Sequence, residues 1–245
     1  MKFNTNSNTY TIVYAAITVV IVAFLLAFVS SALKERSEAN ERIDTKRQIL
    51  ASLIDVSNIA DADIESTYQQ YIQADEIVND KGDILKAGAD KDKDGFAVSR
   101  KEIGADNLPF YVCQVDSQSL YVIPMVGKGL WGTIWGYVAL KADGKTVHGT
   151  YFSHESETAG LGSLIKEAPF QKQFEGKTAY DETGAAVLRV VKSGQVKDPQ
   201  TQCDGISGAT LTSNGVDQMI QDYLNLYKAR LAKSTASTFE DTENE

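Results

Sequence analysis

No charged residue stands between Lys2 and Lys34. Within that gap the run IVYAAITVVIVAFLLAFVSSAL is almost wholly apolar. Roughly 20 such residues cross a bilayer as one helix, whereas a secretory signal has a shorter apolar core. The run therefore predicts an uncleaved transmembrane helix over residues 10–33, with an N-terminal tail of residues 1–9 before it. The span contains no acid that would mark an ion path. Lys34, Arg36, Arg42, Lys46 and Arg47 follow it, against Lys2 alone before it. That bias would place the bulk of the chain in the cytoplasm, although long domains are translocated despite such charges.

The chain of 245 residues leaves enough sequence after the span for one or two domains with a real core. Its 33 Asp and Glu against 24 Lys and Arg argue against a nucleic-acid partner, which needs a basic face. Cys113 and Cys203 have no CxxC spacing, and two histidines, His148 and His154, are too few for a multi-His site. Asp90, Asp92, Asp94 and Gly95 open like an EF-hand loop. The twelfth position is Lys101, where that loop needs a bidentate Glu. A solvated polar loop and no metal site are expected.

Residues 34–56 read as a charged helix with Ile43, Ile49, Leu50, Leu53 and Ile54 as an apolar stripe. Residues 61–78 read as a weaker helical or mixed segment, and a polar Gly-containing loop follows. These make up a helical and loop connecting region over 34–108. From Pro109 the texture becomes β: FYVCQV and SLYVIPMVG are strands about a polar turn. GTIWGYVALKADGKTVHGTYFSH predicts a hairpin with a tight primed turn at Asp143-Gly144. Short helical pieces are expected at 161–167 and 170–174, and a strand at AAVLRVVKS. Val216, Met219, Ile220, Tyr223, Leu224, Tyr227 and Leu231 recur at helical spacing, predicting a last helix from near Asn214. Residues 109–233 thus form an α+β domain, a mostly antiparallel sheet with packed helices. The acidic stretch 234–245 is expected to be a disordered tail.

Three stretches carry candidate chemistry. In DGISGATLTSNG, residues 204–215, Asn214 would cap the helix, with Asp217 three residues on as in a capping box. Capping leaves Ser207, Thr210 and Thr212 beside Gly205 and Gly208 without a reason. A Gly-rich turn feeding a helix N-terminus is a natural phosphate site, and without a following Lys it is no P-loop. HESETAGLG, residues 154–162, has Thr158 where a metalloprotease helix needs a second His. Its glycines permit close approach of backbone to a ligand, and it reads equally as a tight turn. GKGLWGTIWG, residues 127–136, sets Trp131 and Trp135 among glycines. Such a Trp walls a ligand or fills the core, and no dinucleotide fingerprint surrounds it.

The D-G-x-S-G-A-T pattern of Asp204 to Thr210 resembles the flavinylation motif of the FMN-binding domain family. HESETAGLG is similar to that family's H-x-E-T-P-G-L-G segment, with Ala159 in place of Pro. VGKGLWGTIWGYVAL, RQILASL and the single span together resemble the C-subunit family of the sodium-translocating NADH:quinone oxidoreductases. The resemblance implies FMN joined to Thr210 through a phosphoester by a flavin transferase. Around it would stand Ser207, Gly208, Ala209, Glu157, Thr158, Gly160, Leu161, Gly162 and Trp131. It implies an electron-transfer subunit of a sodium-pumping oxidoreductase, working with other subunits and completing no reaction alone. It also implies a bacterial inner-membrane protein held in lipid by one span. Its flavin domain would lie on the periplasmic side, against the charge bias. Two other readings stay open: the G subunit of the related ferredoxin:NAD oxidoreductase, and a membrane-anchored binding protein without cofactor, in which SGAT is only a turn.

Overall fold

The computed structural model describes residues 7–242, with side chains as far as Thr235; residues 1–6 and 243–245 of the expected tails lie outside it. The chain divides into two compact units, Met1–Thr45 and Lys46–Glu245.

Helix α1 runs over Asn8–Ala51 without a Gly or Pro to interrupt it. Its apolar side chains from Ile12 to Leu33 are exposed around the helix, Phe24 at 69 %. Such a surface is unfavourable in water at about 25 cal/mol per Å². Among the described residues it is the one helix long and apolar enough to cross a membrane.

The second unit is built on a sheet of β1 (Ile72–Val78), β2 (Ile84–Lys86), β3 (Leu108–Val115), β4 (Gln118–Lys128), β5 (Thr133–Lys141) and β6 (Val147–His154). Their order is β2-β1-β3-β4-β5-β6, and every pairing is antiparallel. The β3–β4 pair about a polar turn and the β5–β6 hairpin are as the sequence predicts, and β4 also pairs with β5. After them come a 3-10 turn at Gly162–Lys166, the single helical turn α3 (Ala168–Gln171), and a small parallel pair, β7 (Arg189–Val191) with β8 (Gln202–Asp204). The last helix, α4, spans Thr210–Thr242.

Both faces of the sheet are covered, so β4 is buried without alternation from Leu120 to Met125. One face packs on α4, whose Val216, Met219, Ile220, Leu224, Tyr227 and Leu231 join Phe110, Ile123, Val138 and Phe152 in the main core. The other face meets the end of α1 and α2 (Asp61–Tyr71). There Trp135 Nε1 donates to Gln48 Oε1 at 2.9 Å, and Lys46 lies over the Tyr68 ring.

Four expectations are corrected. The boundary at 108/109 is absent, because β1 pairs with β3 and the folded unit begins at Lys46. The strand was hidden by Asp75 and Glu76, charged residues that are buried within it. Asp75 Oδ2 accepts the Asp94 and Phe96 amides, and Glu76 pairs with Arg230. Second, α4 continues past residue 234, because Ser234 is buried and exchanges hydrogen bonds with Arg230. Third, the primed two-residue turn lies at Asp116-Ser117, with φ of 47° and 66°. At Asp143-Gly144 only Gly144 has positive φ, and Asp143 instead caps a longer loop by accepting the Lys145 and Thr146 amides. Fourth, α4 starts at Thr210, ahead of Asn214.

Candidate functional site

The early start of α4 changes the account of DGISGATLTSNG. The residue before the helix is Ala209, which has no side-chain oxygen to cap it. Asp217 makes no capping box; it accepts Arg189 Nε and Nη2 and the Val190 amide. Ser213 Oγ accepts the Ile206 amide at 2.9 Å. The amides of Thr210, Leu211 and Thr212 have no partner among the described residues. A helix start leaves such donors free, at its electropositive end.

Each residue of the turn has a separate task. Asp204 Oδ1 accepts the Gly194 amide at 2.7 Å. Gly205 passes so close to Val191 that a Cβ would stand 2.6 Å from its carbonyl oxygen. Gly208 has φ +78°, a conformation side chains resist, and a Cβ there would stand 3.1 Å from Leu161 Cδ2. Ala209 is buried, while Ser207 and Thr210 are exposed. The Thr210 hydroxyl has no partner among the described residues.

HESETAGLG folds over this turn. Thr158 O accepts the Leu161 and Ser163 amides, and Gly160 takes φ +73°. Leu161 is thereby carried to Gly208. Glu157 is 7 % exposed, and both its oxygens are used within the protein. Oε1 accepts the Trp131 amide at 2.9 Å, and Oε2 accepts the Thr212 hydroxyl at 2.6 Å. Gly129 and Gly162 leave room for this, since a Cβ on either would collide with the carboxylate. Glu157 and Gly162 thus serve the frame of the site.

The rim is apolar and open. Trp131 is 66 % exposed and Leu211 60 %, with Leu130, Leu161 and Leu164 also exposed. Trp135, by contrast, is held by Gln48 on one side and Arg100 over its ring at 4.0 Å on the other. His154 accepts the Glu157 amide on Nδ1 at 3.2 Å, and its buried Nε2 has no partner among the described residues. Burial lowers its pKa from the ordinary value of 6.5, with Lys166 adding to this and Glu157 opposing.

From sequence Thr212 is one of the turn's unexplained hydroxyls, with no partner to give it a role, and Gly129, Leu130, Leu164 and Leu211 are not singled out. Gly129 stands in a GxG that has no meaning until Glu157 is placed against it. Leu130 and Leu211 look like core residues until their exposure is known.

In the aspartate-rich loop each carboxylate is paired with a lysine. Asp90 pairs with Lys93, Asp92 with Lys46 and Asp94 with Lys86, at 3.1, 3.0 and 3.3 Å. Among the described residues no group of three or more His, Cys, Asp or Glu could hold a metal ion. Cys113 and Cys203 are both buried and free.

The FMN-binding domain family matches residues 129–225, which contain 154–162 and 204–215 whole and 127–136 from Gly129 on. The C subunit of the Na(+)-translocating NADH-quinone reductase of Pseudomonas aeruginosa is 28 % identical over 95 % of this chain and 99 % of its own. The Haemophilus ducreyi C subunit is 29 % identical over 96 % and 98 %. The crystal structure of the C subunit from Parabacteroides distasonis superposes with a TM-score of 0.73 at 35 % identity, covering 81 % of this chain and 96 % of that one. With that identity and coverage, the chain belongs to the C-subunit family of the Na+-translocating NADH-quinone reductases.

Proposed function

We propose that Thr210 carries FMN through a phosphoester and that electrons of the Na+-translocating NADH-quinone reductase pass through it. The chain is an FMN-binding, electron-transfer subunit of that enzyme. The observation that supports the attachment is the exposed, unpartnered Thr210 hydroxyl at the start of α4, beside three free amides and an apolar rim.

These residues fit the group. The amides of Thr210, Leu211 and Thr212 would hold phosphate oxygens at the positive end of the helix. Gly208 keeps the approach to Thr210 open, Thr158 and Gly160 shape the loop that brings Leu161 to it, and Ser207 stays exposed beside it. Leu161 and Trp131 offer apolar and aromatic surface to a flat ring. When bound, FMN supplies the electron transfer itself. The chain binds it, orients it and leaves its edge open to redox partners. An open site gives little binding energy, and a covalent bond offsets that loss.

Residues 10–33 of α1 anchor the chain in the membrane. The flavin domain lies on the periplasmic side, where a flavin transferase reaches the exposed Thr210, and Na+ translocation belongs to the assembled subunits. Protease added to intact spheroplasts should remove the domain.

The attachment is tested by intact mass and by in-gel fluorescence after denaturing electrophoresis, on protein made with the transferase present. The wild type gains one FMN and fluoresces. Thr210→Val loses both, and Thr210→Ser keeps part. A fluorescent Thr210→Val band would sink the assignment.

A further inference from the structure

We infer that Glu157 is a positioning residue, the buried carboxylate that sets the Trp131 loop and the first turn of α4 in one frame around Thr210. The inference rests on the reading that Thr210 carries FMN.

Three segments far apart in sequence meet at this one side chain. Its two partners lie 26 residues before it and 55 after it. The carboxylate accepts from Trp131 N with one oxygen and from Thr212 Oγ1 with the other. Its own amide is held by His154 Nδ1. The Trp131 loop is closed by Gly129 N on Gly132 O at 2.8 Å and by Ser156 Oγ on Trp131 O at 3.0 Å. Thr212 is 1 % exposed and stands one residue beyond Leu211, two beyond Thr210. The loop of the exposed indole and the turn of the attachment hydroxyl are therefore bridged by a single buried carboxylate. Removing it leaves the Trp131 amide and the Thr212 hydroxyl without a partner inside the fold, an unfavourable state that loosens both segments.

Glutamine separates geometry from simple occupancy. Its amide oxygen accepts from Trp131 N, its NH2 donates to Thr212 Oγ1, and the threonine hydroxyl rotates to accept. Glu157→Gln keeps both bonds, Glu157→Ala keeps neither, and Thr212→Val removes one.

The full chain in detergent, made with the transferase present, is the sample. Three quantities are read: FMN content by intact mass, the visible circular dichroism of the flavin, and amide exchange of residues 129–132 and 213–216. Glu157→Ala is expected to take up FMN, since Ser207–Thr210 is unchanged. Its flavin dichroism should fall severalfold, and both segments should exchange about tenfold faster together. Thr212→Val, the milder change, should move both readouts in the same direction, and Glu157→Gln should restore wild-type values within about twofold. Wild-type dichroism and exchange in Glu157→Ala and Thr212→Val overturn the inference, as does a Gln variant no better than Ala. If the wild type carries no FMN, the Thr210 reading fails; coupled loosening of the two segments on that same protein still supports the frame, and its absence refutes it.

Discussion

Arg230 of α4 and Glu76 of β1, 154 residues apart, form a buried two-pronged ion pair. Nε donates to Oε2 at 2.8 Å and Nη2 to Oε1 at 2.9 Å. The guanidinium also lies 4.8 Å from the centre of the Phe110 ring. Burial raises the Glu76 carboxyl above its ordinary value, and Arg230 opposes without cancelling it. Desolvation therefore weighs heavily, and the pair is costly to break but not costly to replace. Arg230→Met should destabilise the unit by about 3–5 kcal/mol. Adding Glu76→Met should recover most of that. Urea denaturation of the three variants decides it; a double variant less stable than the single one contradicts the argument.

Gly208→Ala should cost about 1–2 kcal/mol, from its positive φ, plus the push on Leu161. Gly160→Ala meets the same backbone strain with open space around its Cβ. The difference between the two melting temperatures isolates the Leu161 contact. FMN uptake should fall for Gly208→Ala and hold for Gly160→Ala. Equal losses would mean that the Leu161 contact is immaterial.

His154 gives the fold a dependence on pH. Its folded pKa lies below the ordinary 6.5, so the unfolded chain takes the proton first as pH falls. The contribution is complete above about pH 6.5 and is lost as pH drops through the lowered folded value. Protonation fills Nδ1, the acceptor of the Glu157 amide. His154→Asn, whose Oδ1 can replace Nδ1, should flatten the melting-temperature profile between pH 7.5 and 5 relative to wild type. Parallel profiles would remove His154 from the account.

Both cysteines should be silent in the native protein. Burial pushes the Cys203 thiol up to about 12 and the Cys113 thiol higher still. At pH 8 about one Cys203 in ten thousand is thiolate. Iodoacetamide should modify neither in the folded chain and both in denaturant. Native labelling of Cys203 alone would show that β8 opens.

Much of the architecture was legible in the residues. The uncharged run, the β3–β4 pair, the β5–β6 hairpin and the stripe of α4 follow from local patterns. β1 was not legible, because Asp75 and Glu76 look like surface residues until the amides of Asp94 and Phe96 and the guanidinium of Arg230 are placed beside them. The helix start was misplaced for a related reason. Asn214 and Asp217 look like a cap, but Arg189 and Val190 arrive from another segment and take the Asp217 carboxylate.

The same division holds at the site. Residue order alone determined that Thr210 ends a glycine-rich turn ahead of a helix, and that one span leads the chain, because both are matters of neighbours in sequence. Tertiary structure decided that Thr210 stands exposed at a helix start, that Leu161 reaches Gly208, and that Glu157 faces inward to hold Trp131 and Thr212. A carboxylate's role is set by the donors that surround it, and these donors come from 26 residues before it and 55 after it.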